Sequence, residues 1–256
     1  VGRGWTTTAV AGRSPGAPST RRVAAALGAP AVPVRHAGSD ADVVMVATPD
    51  AAIAAAAAEL APSLRAGALV LHVSGARSLH ELDDLLLARP DVEVGSLHPL
   101  QALPSGEVGR ARLAGSWCAV DGPMDRMERL ALTLGMRAFR LDAAHRVEYH
   151  AAACIASNHL VALLGQVERL ADAADVPLAA FLPLMRATLD NVDDLGPTAA
   201  LTGPVARGDA AAVAAHLEAL PAAERDTYRA LAAAALRLTN HDDEELRGVV
   251  EGAFAS

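Results

Sequence analysis

Three short apolar runs in the first half of the chain each end in small polar residues. The runs cover Asp42–Ala47, Ala68–Val73 and Val92–Ser96. Continuous apolar runs of this length are typical of strands that are buried on both faces of a parallel sheet. The carboxyl ends of parallel strands meet at one edge, where open α/β folds bind ligands. The pattern therefore predicts a site built from the residues that follow each run.

Segments with helical spacing separate these strands, and strands that alternate with helices indicate βαβ units with right-handed crossovers. The other predicted elements of the first half are a strand over Thr6–Ala11, helices over Arg21–Leu27, Asp50–Leu60, Leu79–Leu87 and Pro123–Leu134, and strands over Ser116–Val120 and Ala138–Leu141.

The strand pattern stops near Asp142, and the remaining apolar spacing is helical. A long helix is expected over Ala144–Ala174, and Pro177, Pro197, Pro204 and Pro221 separate the helices that follow it. The sequence therefore predicts two domains: residues 1–141 with a parallel sheet that binds a dinucleotide, and residues 142–256 as an all-α substrate-binding and dimerisation domain.

The first βα unit of the expected sheet is missing. A dinucleotide-binding Rossmann domain opens with a strand, a Gly-x-Gly-x-x-Gly turn and a helix. This chain opens Val1-Gly2-Arg3-Gly4-Trp5 and runs directly into an extended segment. We therefore expect that Thr6–Ala11 is the second strand and that the chain is truncated by roughly 20–30 residues, about one βα unit. The alternative is a natural variant that lacks the unit.

Composition limits the chemistry. The formal net charge of −8 argues against non-specific binding to nucleic acid. The chain contains no lysine, so a Schiff base or a Walker-type lysine is excluded. The only two cysteines, Cys118 and Cys154, are expected to be free thiols in a reducing cytoplasm. No signal peptide or membrane-spanning segment is recognisable, and His145, His150 and His159 lack the spacing of a metal site.

The end of the predicted second strand indicates the cofactor. An acidic residue at this position binds the ribose 2′-hydroxyl of NAD, whereas an arginine accommodates the 2′-phosphate of NADP. Here Arg13 and Ser14 follow the strand, which favours NADP, with NAD as the other possibility. The alternative is a solvated arginine in a turn. Thr48, Pro49, Ser74 and Gly75 are expected to line the dinucleotide, unless they form only a helix cap and a turn.

His98 is the strongest candidate for a catalytic residue. It lies at the carboxyl end of a predicted strand and is followed by Pro99. A histidine at this position can orient a carbonyl or carboxylate, or transfer a proton. The alternative is a structural histidine. On the long helix, His150 and Asn158 share a face with Ser157, and this face either points towards substrate or fills a seam between domains.

A turn before a later helix contains Thr202 and Arg207. Arg207 can reach an anionic ligand or pair with Asp209. The residues predicted to bind substrate are Ser96, Gln101, Ser157, Thr202 and Arg207.

Several segments together resemble a known family, the Rossmann-like two-domain proteins of the 6-phosphogluconate dehydrogenase-like superfamily with a C-terminal domain of unknown function (number 2520). The matching segments are DVVMVATPD at Asp42–Asp50, LHVSGA at Leu71–Ala76, GSLHPLQ at Gly95–Gln101, YHAAACIASNH at Tyr149–His159, LMRATLDN at Leu184–Asn191 and ALTGPVARGD at Ala200–Asp209.

The resemblance implies a nicotinamide dinucleotide as cofactor, a helical domain that dimerises, and an oxidoreductase. The expected function is an NADP-dependent oxidoreductase that acts on a small carboxylate-bearing metabolite. The alternatives are a dinucleotide-binding sensor or scaffold without turnover and an inactive truncated fragment. The chain departs from the pattern at two points: the glycine-rich turn is absent, and a lysine that several relatives use on the long helix is missing.

Overall fold

The computed structural model describes residues 4–103, 106–239 and 243–252. Its strands are β1 (Val43–Val46), β2 (Leu69–His72), β3 (Glu93–Pro99), β4 (Trp117–Asp121) and β5 (Arg137–Arg140). Its α-helices are α1 (Pro18–Leu27), α2 (Ile53–Leu60), α3 (Asp83–Ala88), α4 (Gly106–Leu113), α5 (Met124–Leu134), α6 (Arg146–Cys154), α7 (Leu160–Asp172), α8 (Leu182–Ala200), α9 (Ala210–Ala219), α10 (Ala222–Leu236) and α11 (Glu244–Glu251).

The five strands form one sheet in the order β1-β2-β3-β4-β5. The predicted parallel arrangement of β1, β2 and β3 is confirmed, and β4 pairs with β5 in parallel as well. The β3–β4 pair is antiparallel, which the sequence analysis did not predict. Strand β4 therefore begins at the end of the sheet where β3 stops, and the N–H of Leu100 just after β3 donates to the carbonyl of Trp117 over 2.9 Å.

Apolar side chains cover both faces of the sheet, which explains the continuous apolar runs. Because side chains alternate along a strand, Leu69 and Leu71 join the cluster packed under α5, while Val70 joins the cluster packed under α2 and α3. All three side chains have no exposed surface. The first half is therefore an α/β layered structure of the Rossmann-like class, as predicted.

The predicted strand over Thr6–Ala11 is not a strand of this sheet. Only Val10 pairs, in an isolated parallel bridge with Ala31. The N–H of Val10 donates to the carbonyl of Pro30, and Val10 in turn accepts from Val32. Extension of this pairing towards Thr8 would need an N–H from residue 30 for the carbonyl of Thr8, and proline has none. Pro30 therefore ends the pairing on that side.

The chain divides into two compact units, Val1–His159 and Leu160–Ser256. The predicted long helix lies across this division as three segments: α6, a π-helical turn over Ile155–His159, and α7. The expected domain boundary near Asp142 stays a prediction. The second unit is helical throughout its described residues, with a core around Val213 and Leu246. No described helix combines the length and apolar character needed to cross a membrane.

Candidate active site at the carboxyl edge of the sheet

The strand ends meet as predicted from the sequence. Val46 at the end of β1 is level with His72 at the end of β2, and His72 is level with Ser96 in β3. Strand β3 continues for three more residues, paired only with β4, and places His98 opposite Ala119. His98 therefore lies beyond the end of β2, at the edge where α/β folds bind ligands.

Three side chains or loops of the first unit surround the His98 imidazole. Its Nδ1 lies 2.7 Å from the hydroxyl oxygen of Tyr149, in hydrogen-bond distance. The His150 ring stands edge-on with its centroid 6.2 Å away. The loop at Gly75 packs tightly against both imidazoles. A Cβ atom added at Gly75 would lie 2.8 Å from His98 Nε2 and 2.8 Å from His150 Cδ2. A glycine at this position is what allows both imidazoles to pack against the loop after β2.

Helix α6 supplies Tyr149 and His150, and Arg146 fixes the amino end of that helix to the sheet. The three residues share one helical face through their i, i+3 and i+4 spacing. The Arg146 guanidinium is buried, with 2 % of its side chain exposed. It donates to the Ser96 hydroxyl and to the carbonyl of Ser74, and it lies 3.5 Å from a carboxylate oxygen of Asp121.

Burial determines the protonation states of the site. It lowers the pKa of His98, and the nearby charges of His150 and Arg146 lower that pKa further. Burial also raises the pKa of Tyr149 to about 12. At neutral pH the site therefore holds a neutral imidazole and a protonated phenol, a pair that can give or accept one proton without a metal ion. The described residues contain no cluster of ligands suited to a metal.

A second histidine, His72 at the end of β2, stabilises the loop that follows this strand. Its Nδ1 accepts the N–H of Ser74 over 3.3 Å, so its Nε2 carries the proton that it donates to the carbonyl of Ser78 over 3.2 Å. The residue has no exposed surface, and burial lowers the pKa of its imidazole, with a further lowering from Arg146. His72 therefore holds the loop that carries Gly75 and stays neutral while it does so.

The loop residues predicted to line a dinucleotide have different surroundings. The Thr48 hydroxyl is buried and has no hydrogen-bond partner among the described residues, so it retains one donor and two acceptor sites for a ligand. Pro49 beside it is exposed. The Ser74 hydroxyl accepts the N–H groups of Ala76 and Arg77 over 3.2 and 3.0 Å, which stabilises the turn around Gly75.

The two residues predicted to bind a 2′-phosphate lie on the surface of the first unit. Arg13 and Ser14 are both exposed, and neither side chain has a hydrogen-bond or ion-pair partner in the described part of the chain. Gly12 brings this turn against the amino end of α1, since a Cβ added to Gly12 would overlap the hydroxyl of Thr20. Arg13 is thus a cation without a partner among the described residues, on a turn that packs against the start of α1.

The other predicted residues are only partly brought together. Asn158 and Ser157 lie in the π-helical turn after α6, and no described hydrogen bond or ring contact joins them to His98. The Ser96 hydroxyl is buried and engaged by Arg146. Gln101 is exposed; its side-chain amide donates to the carbonyl of Arg112 in α4 and accepts the N–H of Ala102. Their predicted contacts with substrate stay predictions.

Thr202 and Arg207 belong to the second unit, and both are exposed there. Asp209 is not the ion-pair partner of Arg207; its carboxylate instead caps α9 by accepting the N–H of Ala212 over 3.0 Å.

The sequence did not predict Arg146, Tyr149 and His72 as site residues. The one signal for Arg146 was a charged residue at the start of a helix whose i+3 and i+4 positions carry an aromatic hydroxyl and an imidazole. His72 gave a weaker signal, a histidine inside an otherwise apolar strand. Both signals depend on knowing that α6 packs against the strand ends.

Comparison with known protein families places these residues in context. Residues 117–235 match the family model described as Domain of unknown function, DUF2520. Over these residues the match confirms the domain family that the sequence resembles, and it includes Arg146, Tyr149 and His150 of the site. The chain matches no sequence among the curated proteins.

Solved structures share the fold across nearly the whole chain. A Bacteroides fragilis protein with a provisional name as an NADP oxidoreductase has a TM-score of 0.76 and 22 % identity, covering 92 % of this chain and 90 % of its own. Protein TM1727 of Thermotoga maritima has a TM-score of 0.62 and 23 % identity, covering 95 % and 90 %. An NADH-preferring ketol-acid reductoisomerase from an uncultured archaeon has a TM-score of 0.51 and 18 % identity, covering 93 % and 72 %. At these identities the similarity establishes the fold.

Proposed function

We propose that this protein is an NADP-dependent oxidoreductase that acts on a small carboxylate-bearing metabolite. The observation that carries the proposal is the neutral His98 imidazole at the carboxyl edge of the sheet, hydrogen-bonded to Tyr149 and packed against Gly75. The names of the structural relatives, an NADP oxidoreductase and a ketol-acid reductoisomerase, are consistent with this chemistry.

The residues at the strand ends fit a bound dinucleotide. The unpartnered Thr48 hydroxyl offers a hydrogen bond at the end of β1, and the loop that carries Gly75 packs against His98 at the end of the next strand. Pro49 and Ser74 would complete this lining. Arg13 and Ser14 would hold the 2′-phosphate, and NAD remains the second choice of cofactor. When bound, the nicotinamide supplies or accepts the hydride of the reaction.

The chain's own residues would supply the proton. His98 would donate from Nε2 to a substrate oxygen or nitrogen, or take a proton in the reverse direction. His150, whose ring faces His98, and Asn158 would orient the substrate. Loss of proton transfer of this kind lowers the rate by roughly 10²–10⁴-fold. We therefore expect His98→Ala to lower kcat by that factor while dinucleotide binding is retained.

The test uses the protein with NADPH and NADH in separate titrations. Fluorescence of the reduced nicotinamide measures binding, and loss of its absorbance measures turnover with a panel of 2-oxo acids and imines. Tighter binding of NADPH, weakened by Arg13→Ala, is expected. Arg65→Ala is the matched control, because Arg65 is an exposed arginine engaged by Asp42. Binding without consumption of any compound would instead favour a dinucleotide-binding sensor, and absence of binding would refute the cofactor assignment.

We also propose that the protein forms a homodimer through its helical unit. Helix α8 has no buried residue, and its apolar side chains Leu184, Leu189 and Leu195 are 64, 57 and 59 % exposed. An apolar helix face of this kind marks an interaction surface, and a two-fold pairing would present the same face from each copy. Leu189→Asp is expected to convert dimer to monomer in size-exclusion chromatography with light scattering. Leu87→Asp, at an exposed leucine of the first unit, should leave the dimer intact.

The free thiols Cys118 and Cys154 suit a reducing compartment, and we propose the cytoplasm. Burial raises the pKa of the Cys118 thiol to about 11, so this residue is an inert core side chain at neutral pH.

A further inference from the structure

The described part of the chain contains two pairs of a tyrosine hydroxyl and a histidine imidazole with the same oxygen–nitrogen distance. Tyr149 Oη lies 2.7 Å from His98 Nδ1, and Tyr228 Oη lies 2.7 Å from His216 Nδ1. Each pair also has edge-on rings, with centroids 5.6 and 5.8 Å apart. The first pair lies at the sheet edge in the first unit, and the second lies in the helical unit. The second pair is therefore an internal control for the first.

The direction of the hydrogen bond follows from the groups available. The Tyr149 hydroxyl keeps its proton at neutral pH, because burial raises its pKa to about 12. The described residues offer this proton no acceptor other than His98 Nδ1. A neutral imidazole has one donor nitrogen and one acceptor nitrogen. If Nδ1 accepts from Tyr149, then Nε2 carries the proton, and Nε2 is the ring nitrogen next to Gly75 in the loop after β2.

We propose that Tyr149 is a positioning residue that acts through His98: its hydroxyl fixes the tautomer with the proton on Nε2 and returns a proton to Nδ1 when Nε2 gives its proton to substrate. The first half of this proposal stands on the hydrogen bond between Tyr149 and a neutral His98, and the second half rests on the proposed function.

The proton transfer balances in atoms and charge. A bound reduced nicotinamide would supply the hydride. Where the reaction leaves negative charge on a substrate carbonyl oxygen, the His98 Nε2–H bond would break as an O–H bond forms on substrate. The Tyr149 O–H bond breaks as the Nδ1–H bond forms. The negative charge ends on the Tyr149 oxygen, which then takes a proton from water. An alkoxide is a stronger base than a phenolate, so the transfer runs in this direction.

The surroundings of the pair hold Tyr149 in place for this role. Phe139 of β5 packs edge-on against the Tyr149 ring with centroids 5.8 Å apart. Arg146, one turn earlier on α6, is bonded to Ser96 and Ser74 under the site. The charged or titratable groups that act on His98 are His150 and Arg146 from α6 and Asp50 from the connection after β1.

The experiment is long-range proton–nitrogen NMR of the nitrogen-15-labelled protein without ligand, near neutral pH, because these spectra distinguish a protonated from an unprotonated ring nitrogen. Loss of one signal set in His98→Asn assigns His98. We expect the wild-type His98 to be protonated on Nε2 only. In Tyr149→Phe the Nδ1-protonated form of His98 should rise to a detectable share, while Tyr228→Phe should change His216 and leave the His98 signals in place. Protonation of Nδ1 in the wild type, or an unchanged His98 in Tyr149→Phe, would overturn the proposal.

Turnover is the second measurement, and it separates this proposal from the proposed function. With an active substrate, Tyr149→Phe should lower kcat by at least about 10-fold with KM unchanged, and Tyr228→Phe should change neither. An Nε2-protonated His98 without turnover on any compound would refute the oxidoreductase and leave the tautomer assignment standing. Full turnover in Tyr149→Phe would refute the proton return. If Tyr149→Phe does not fold, as judged by circular dichroism, the wild-type tautomer alone decides.

Discussion

Gly75→Ala is the most direct test of the packing at the strand ends. The substitution adds one methyl group and requires no unusual backbone angle, so its effect is steric. The new Cβ would lie 2.8 Å from His98 Nε2 and from His150 Cδ2, whereas ordinary contact begins at 3.4 Å. Each imidazole must therefore retreat by about 0.6 Å.

This displacement is large relative to the hydrogen bond that holds His98. The bond to Tyr149 is 2.7 Å long and weakens as the ring moves from its place. Adding a methyl group to a well-packed interior typically costs about 1–3 kcal/mol. A misplacement of 1 Å lowers catalytic rates by on the order of 10²-fold, so we expect a loss of about 10-fold or more from Gly75→Ala.

The assay is urea unfolding followed by circular dichroism, together with turnover of the proposed substrate class. Gly165→Ala is the matched control, because its added Cβ lies 3.6 Å from the Arg169 guanidinium, an ordinary contact on a helix. Alanine there should stabilise the protein by up to about 1 kcal/mol. An unfolding free energy of Gly75→Ala within about 0.5 kcal/mol of the wild type would refute the close packing of Gly75 against the two imidazoles.

Two further predictions follow from buried charge. Arg146→Met should lower the unfolding free energy by about 3 kcal/mol in a urea titration, because it removes a buried cation from its hydroxyl, carbonyl and carboxylate partners. The control Arg65→Met should lower it by at most about 1 kcal/mol, because the side chains of the Arg65–Asp42 ion pair are 54 and 80 % exposed. Burial lowers the pKa of both His72 and His98, so the unfolded chain binds more protons, and stability should fall as the pH drops below about 6.5. Urea titrations between neutral and mildly acidic pH measure this loss, and a flat profile across that range would contradict it.

The apolar pattern was sufficient to predict the sheet because its cause is local. Strand β2 is buried on both faces, and β3 is buried from Val94 to Leu97, so their sequences are nearly continuously apolar. The edge strand β1 has the same apolar pattern although Met45 is 47 % exposed. No apolar or polar pattern in the sequence marks the antiparallel β3–β4 pair. A strand's own residues do not record its direction relative to a neighbour, and the turn at Leu100 depends on a hydrogen bond to Trp117.

The site was predictable only as far as the strand ends. His98 is separated from Tyr149 by 51 residues, and no spacing rule relates the two positions. Their contact depends on how α6 sits against the sheet, which Arg146 fixes through Ser96 and Ser74. The structure places the ring of His150, which the sequence singled out, beside His98, but the same periodicity could not show that Tyr149 would reach the imidazole.

The depth of each polar side chain explains why Ser96 and His98 behave differently although both lie on one face of β3. Ser96 is level with His72, the last residue of β2, so it is covered on that side and its hydroxyl is taken up by Arg146. His98 lies two residues further, where β2 has ended and only β4 pairs with the strand. Ser96, which is level with its neighbours, is therefore fully buried and bonded to Arg146, whereas His98, which lies past the end of β2, is only partly buried and bonded through Nδ1 to Tyr149. The lengths of the neighbouring strands, rather than the residue type, thus decide how far each polar side chain at this edge is covered.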